Sequence, residues 1–202
     1  AAYSYYSQNY YGDAMAELTR FLRVYPNHKD IVYAEYLWGL CYYEQIVDEK
    51  KDLQSIVNAK KTFQSLISKY PDTEFATDAM FKINLIDEIL AAKEMYLGRY
   101  YVDRKKWISA INRFRVVVDD YETTIYVEEA THRLVEIYYI LGIETEAKKY
   151  ANLLGYNYQS SKWYEKSFSV FNKNYKKNKI KDIKKENNSI LKKFKSLFSW
   201  DE

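Results

Sequence analysis

Leu97–Tyr121, LGRYYVDRKKWISAINRFRVVVDDY, is the stretch that decides the fold. It opens as Leu97-Gly98-x-x-Tyr101, and Ala110 follows Gly98 by twelve residues. From Ala110 the chain steps to Phe114, Val117 and Tyr121. Steps of four, three and four put these side chains on one face of a helix. Ala marks the place where two helices approach closely, and the larger residues fill the seam between them.

Outward from this stretch the same face recurs. It reads Ala14, Leu18, Phe21, Tyr25 upstream, then Ala59, Phe63, Leu66, Tyr70, and downstream Ala147, Ala151, Leu154, Tyr158. Tyr25-Pro26 and Tyr70-Pro71 end the first two copies. Pro removes a backbone donor and restricts the residue before it, so a helix stops there. The third copy has Glu122 where Pro would stand. After each of the first three tyrosines an Ala returns nine residues on (Ala34, Ala79, Ala130), inside the next expected helix. Asp72-Thr73-Glu74 and Thr123-Thr124 offer oxygens to cap those helices. Trp38-Gly39-x-x-Tyr42 precedes the second copy as Leu97-Gly98-x-x-Tyr101 precedes the third. Together these match the tetratricopeptide pattern. The fold class expected is all-α, a superhelix of helix pairs.

The copies are unevenly spaced. Val47–Val57 is a charged insertion, and Glu74–Asp103 reads as one long helix or two stacked segments. Ala2-x-x-Tyr5 stands in the first-helix position of a repeat with almost nothing before it. An array needs its apolar ends covered, so an upstream repeat or a partner is expected there.

Composition narrows the function classes. The 202 residues are 48% hydrophobic and 18% aromatic, with 23 Tyr but only 5 Gly and 2 Pro. So few turn formers disfavour an all-β fold. No Gly-rich phosphate loop is present, and no apolar run is long enough to span a bilayer. No signal peptide is visible at the N-terminus. One Cys and two His leave little for metal or acid–base chemistry. Neither a cofactor nor a metal site is expected. Cys41, between Gly39 and Tyr42, reads as a buried small hydrophobe. Glu129-Ala130-Thr131-His132 is a lone Glu-x-x-His, where helical diiron sites need two. Glu128 and Glu129 with His132 and Arg133 read instead as i,i+4 pairs on a helix surface. An enzyme centred on Glu129 and His132 is the remotest of three readings.

Net charge is +3, unevenly spread. Residues 172–202 hold ten Lys against four acidic residues, leaving 1–171 slightly acidic. The expected division is a repeat array over 1–171 and a basic amphipathic helix over 172–202. Ile180, Ile183, Ile190, Leu191, Phe194, Leu197 and Phe198 supply its apolar stripe. Lys184, Lys185, Lys192, Lys193, Phe194 and Phe198 are its candidate membrane or partner contacts. Lys without Arg or Gly on a near-neutral body is a poor nucleic-acid signature, and no such partner is expected. The tyrosines come in adjacent pairs, about 100° apart on a helix. One of a pair can enter the core while the other lines a groove, which makes Tyr5, Tyr6, Tyr42 and Tyr43 candidates for a peptide groove.

Tyr96–Tyr164 carries more than a generic repeat. Gly98-Arg99-Tyr100-Tyr101, Trp107-x(4)-Asn112-Arg113, and Leu153-Leu154-Gly155-Tyr156-Asn157 leading to Trp163-Tyr164 resemble the BamD (ComL/YfiO) family, repeat-built lipoproteins of the outer-membrane β-barrel assembly machinery. The likeness covers most of Ala1–Phe171 and implies a non-enzymatic scaffold at the periplasmic face of the outer membrane. It implies an N-terminal lipidated Cys and a first repeat, both expected upstream of Ala1. Its implied partners are the POTRA domains of the barrel subunit, other assembly lipoproteins and unfolded outer-membrane proteins. By the same resemblance Arg113, Arg104, Tyr100 and Asn112 fall at the POTRA contact. The alternative is a tetratricopeptide adaptor or co-chaperone that binds other peptides.

Overall fold

The computed structural model describes residues 1–46 and 54–171. The expected tail helix over 172–202, with Lys184, Lys185, Lys192, Lys193, Phe194 and Phe198, lies outside them, as does most of the Val47–Val57 insertion. The described residues are all-α, without strands. In chain order the helices are α1 (Ala2–Tyr6), α2 (Tyr11–Val24), α3 (Ile31–Tyr43), α4 (Gln54–Lys69), α5 (Glu74–Asp103), α6 (Trp107–Asp120), α7 (Val127–Ile140), α8 (Glu144–Asn157) and α9 (Lys162–Phe171). Each helix packs on its sequence neighbours, and α9 folds back onto α7 as well as α8. The result is the expected tetratricopeptide-like array.

The repeat face is the core. Ala14, Ala59, Phe63, Leu66, Ala110, Phe114, Val117, Ala147 and Leu154 are fully buried. The glycines of the first-helix signature have a direct cause. A Cβ on Gly39 would sit 2.4 Å from Phe63 Cε1, and one on Gly98 would sit 2.5 Å from Phe114 Cε1. The aromatic of the second helix thus occupies the place a Cβ would take on the first, so any larger residue there would displace the ring. Gly155 repeats the device at the end of the array, where a Cβ would meet Tyr164 Cε2 at 2.8 Å.

The helix ends follow a common rule that Pro does not explain. Helices α2, α4, α6 and α8 all stop one residue before their repeat Tyr. In each, the Tyr N–H donates to the carbonyl four residues back: Tyr25 to Phe21 at 2.9 Å, Tyr70 to Leu66 at 2.9 Å, Tyr121 to Val117 at 3.2 Å and Tyr158 to Leu154 at 2.8 Å. The Tyr carbonyl then accepts from the N–H three residues on: His28, Thr73, Thr124 and Ser161. Glu122 therefore ends α6 as Pro26 ends α2. The start signals are less uniform. Thr73 caps α5, its Oγ1 accepting from Ala76 N–H at 3.2 Å. Thr123-Thr124 does not cap α7, which begins later, at Val127. The Thr124 hydroxyl donates to the Tyr121 carbonyl at 2.8 Å instead.

Glu74–Asp103 is one helix of 30 residues, not two. Ala79, Ile86 and Leu90 belong to a core shared with α4, whereas Ala91 and Met95 belong to a core shared with α6 and α7. A third core joins α1, α2 and α3 around Leu18, Leu37 and Cys41. Burial pushes the Cys41 thiol up to about 11, as suits an inert core residue.

Candidate partner-binding surface

The end of α5 and the face of α6 carry the residues that the family likeness implicates. Tyr101, Ser109, Asn112, Arg113 and Val116 line one cleft of about 330 Å³. Arg113 Nη1 donates to both oxygens of Glu94 on α5, at 3.4 and 3.1 Å. The Arg113 side chain stays 41% exposed, against 16% for Glu94. The carboxylate thus holds the guanidinium in one place while leaving part of its fork for a partner. Arg104, just past α5, lays its guanidinium 3.6 Å from the centre of the Tyr100 ring. Tyr100 meets Tyr101 edge to face at 5.6 Å. Lys105, at φ 57°, makes the tight turn into α6. Arg113 and Asn112 thus share the cleft with Tyr101, and Tyr101 in turn touches the Tyr100 ring on which Arg104 lies.

The wider basic run disperses. Arg99 turns to α7 and grips Glu129 with two bonds, Nε to Oε1 at 3.1 Å and Nη2 to Oε2 at 2.7 Å. Arg115 pairs along its own helix with Asp119 at 3.7 Å. Sequence alone does not announce that Arg99 and Arg113, fourteen residues apart, serve different helix interfaces.

The four groove tyrosines do not share a cleft. Tyr42 lines a cleft of about 360 Å³ with Leu22, Glu35, Trp38, Asn58, Lys61 and Lys69, between α2, α3 and α4. Tyr43 turns the other way, against Phe63 at 6.4 Å and beneath Lys82 Nζ at 4.9 Å. Tyr6 packs on Tyr11 at 5.9 Å, and burial, then Glu44, raises its hydroxyl to about 12. Tyr5 is exposed on α1. The sequence reading missed a different aromatic group. Tyr33 and Tyr36 of α3 meet Phe75 of α5 at 5.6 and 5.2 Å, and the Tyr36 hydroxyl donates to Asp78. The i,i+3 pair Tyr33/Tyr36 was the available signal; its partners lie some forty residues on.

Residues 1–154 match the model of the YfiO family, described as an outer membrane lipoprotein. The chain belongs to the YfiO family. It is 44% identical over 174 residues to the outer membrane protein assembly factor BamD of Rickettsia prowazekii, a match covering 86% of this chain and 69% of that protein. It is 38% identical over 172 residues to the same-named factor of Caulobacter vibrioides, covering 85% of this chain and 56% of that protein. The Neisseria meningitidis serogroup A factor is 29% identical over 170 residues. The matched region thus spans between 56% and 69% of the first two relatives' own lengths.

Helix α9 lies beyond the last residue that the YfiO model matches. It is pinned by an unforeseen cluster. His132 is 3% exposed, not on a helix surface as its Glu-x-x-His setting suggested. Its Nδ1 shares a 2.8 Å hydrogen bond with Ser167 Oγ of α9, and its Nε2 lies 3.4 Å from Glu136 Oε1. Burial alone would raise the Glu136 carboxyl. Hydrogen bonds from His132 and Arg133 outweigh it and hold the group down at about 2. The Trp163 ring lies 5.2 Å from the His132 ring. Of the expected i,i+4 pairs, Glu129–Arg133 forms at 3.5 Å, while Glu128 accepts from Ser161 instead of meeting His132. Ser167, His132 and Glu136 line up in the order of a hydrolytic triad. Ser167 is fully buried, so no substrate reaches its hydroxyl, and the arrangement acts as a clasp. Among the described residues no group of three or more metal-ligating side chains converges, and no helix is long and apolar enough to cross a membrane.

Proposed function

We propose that this chain is a non-enzymatic scaffold for outer-membrane protein assembly that docks a POTRA domain of the barrel subunit on its α5–α6 surface. Membership of the YfiO family, with relatives named outer membrane protein assembly factor, supports the role and a station at the periplasmic face of the outer membrane. One observation carries the docking surface: Arg113 is half exposed beside Asn112 and Tyr101, and oriented by Glu94. A guanidinium fixed in this way can take a partner carboxylate without first losing its freedom. Arg104 on Tyr100 extends the surface with a second oriented cation.

Receipt of unfolded outer-membrane proteins is assigned to the cleft between α2, α3 and α4. Trp38 and Tyr42 offer aromatic walls there and Lys61 offers positive charge for a peptide carboxylate, while Lys69 is already paired with Glu35 at 3.0 Å. Contacts with other assembly lipoproteins belong to the same reading. If the chain is instead an adaptor for unrelated peptides, this cleft binds while the α5–α6 surface does not.

Calorimetric titration with the barrel-proximal POTRA domain tests the proposal. Saturable one-to-one binding that weakens as salt rises is the expected result. Arg113→Glu lowers the affinity more than tenfold with helicity unchanged. The exchanged pair Glu94→Arg/Arg113→Glu keeps the internal contact and stays weak. Full affinity in the single variant would refute the contact. Recovery in the exchanged pair would make Arg113 a brace within the fold instead.

A further inference from the structure

The length of α5 leaves one face of the array open. Ala34 of α3 and Ala79 of α5 each stand nine residues after a repeat Tyr, so the two helices start in the same register. In α3 the positions two, five, six and nine residues after that Ala are Tyr36, Gly39, Leu40 and Tyr43. These receive α4. Tyr36 and Tyr43 lie 6.1 and 6.4 Å from the Phe63 ring, Gly39 sits against the same ring, and Leu40 packs on that core. In α5 the same positions are Phe81, Asn84, Leu85 and Glu88. Here the helix runs on to Asp103 instead of turning. Helix α6 therefore comes back along the second half, where Phe114 and Val117 share a core with Ala91 and Met95. Among the described residues no second helix comes back along the first half.

The face left open is apolar. Phe81 is 64% exposed and Leu85 51%, one turn apart on the same side of the helix. Met80 adjoins them, also exposed. One turn beyond Leu85, Glu88 accepts from the Ile125 N–H at 3.1 Å. That bond brings Ile125, 78% exposed, to the end of the ridge. Large apolar side chains grouped in this way mark a site of interaction.

Charge selects the occupant. Glu74 before the ridge and Glu122, three residues from Ile125, are exposed carboxylates. Lys82, the one base between Glu74 and Glu88, is turned aside onto the Tyr43 ring at 4.9 Å. A second copy laid on this face would set like charges together. A helix with an apolar stripe and basic flanks fits both the ridge and its acidic ends.

We propose that the face of α5 centred on Phe81 and Leu85 docks a basic amphipathic helix of a partner protein. That helix takes on α5 the place that α4 takes on α3. The contact is separate from the α5–α6 surface, which belongs to the second half of the same helix.

The test uses a labelled peptide of Leu and Lys patterned as an amphipathic helix, titrated with the 202-residue chain and followed by fluorescence anisotropy. A matching peptide of Leu and Glu is the counterpart. Saturable one-to-one binding of the Lys peptide alone is expected. Phe81→Ser/Leu85→Ser lowers its affinity about tenfold or more, with unchanged helicity and unchanged POTRA titration. Ile140→Ser/Leu153→Ser, which removes exposed apolar side chains from α7 and α8, moves it far less. No binding, equal binding of the Glu peptide, or equal losses from the two double variants would overturn the proposal. So would a dimer of the parent chain in sedimentation equilibrium that Phe81→Ser/Leu85→Ser dissolves, which would seat a second copy on the ridge. The separate POTRA titration keeps these outcomes apart from failure of the scaffold reading.

Discussion

The pair α5–α6 and the pair α7–α8 solve one packing problem with opposite residues. In α5–α6 the first helix supplies Gly98 and the second supplies Phe114, whose ring fills the space above the glycine. Twelve residues before Ala147, α7 has Val135 in the glycine's register, and four residues after it α8 has Ala151 in the phenylalanine's. Val135 is fully buried and Ala151 packs against the same core. The large and small partners have changed sides. What the repeat preserves is the filled volume of the seam, not the identity of either residue, as close packing requires.

Three measurements break or sharpen this comparison. The largest effect belongs to Gly98→Val. Its side chain would enter Phe114, costing about 3 kcal/mol in urea unfolding, and Phe114→Ala in the same chain should restore part of the loss. A Gly98→Val chain as stable as the parent would mean that the two helices are free to separate. Next comes acid. The second pair, unlike the first, is clasped to α9 through His132, which Glu136 backs; the Glu136 carboxyl is held at about 2 against 4.5 in the unfolded chain. A depressed carboxyl stabilises the fold fully above pH 4.5, and the contribution drains away as pH falls towards 2. Glu136→Gln should therefore flatten the dependence of unfolding free energy on pH in that window. An unchanged slope would show that other carboxylates govern it. The smallest effect is at the helix starts. Thr73→Ala removes the cap of α5 and should cost about 1 kcal/mol, whereas Thr124→Ala removes no cap from α7 and should cost less. Equal losses would contradict the difference in hydrogen bonding.

The first pair was legible in the sequence because everything it needs lies within Leu97–Tyr121. Gly98, Ala110, Phe114 and Tyr121 keep fixed spacing, and spacing along a helix is geometry. The clasp of the second region was not. His132 meets Ser167 thirty-five residues later, from a helix outside the repeat pattern, so its neighbours in sequence pointed to a solvated face. The same limit applies to the docking surface. The likeness placed Arg113, Arg104, Tyr100 and Asn112 on one surface, but only the folded chain shows Glu94 orienting the arginine and Tyr101 entering the cleft. The paired tyrosines were easier to read. Adjacent Tyr42 and Tyr43 diverge as expected of helical neighbours, Tyr42 lining a cleft while Tyr43 packs against Phe63.

The uninterrupted α5 has a mechanical consequence. At the usual rise its thirty residues make a rod about 45 Å long. Its N-terminal half is embedded in one core and its C-terminal half in the next, with Leu90 and Ala91 on either side of the divide. The two halves of the scaffold share a shaft, with no hinge between them. The same unbroken helix that α4 packs against thus carries Glu94, the residue that holds Arg113 of α6 in place.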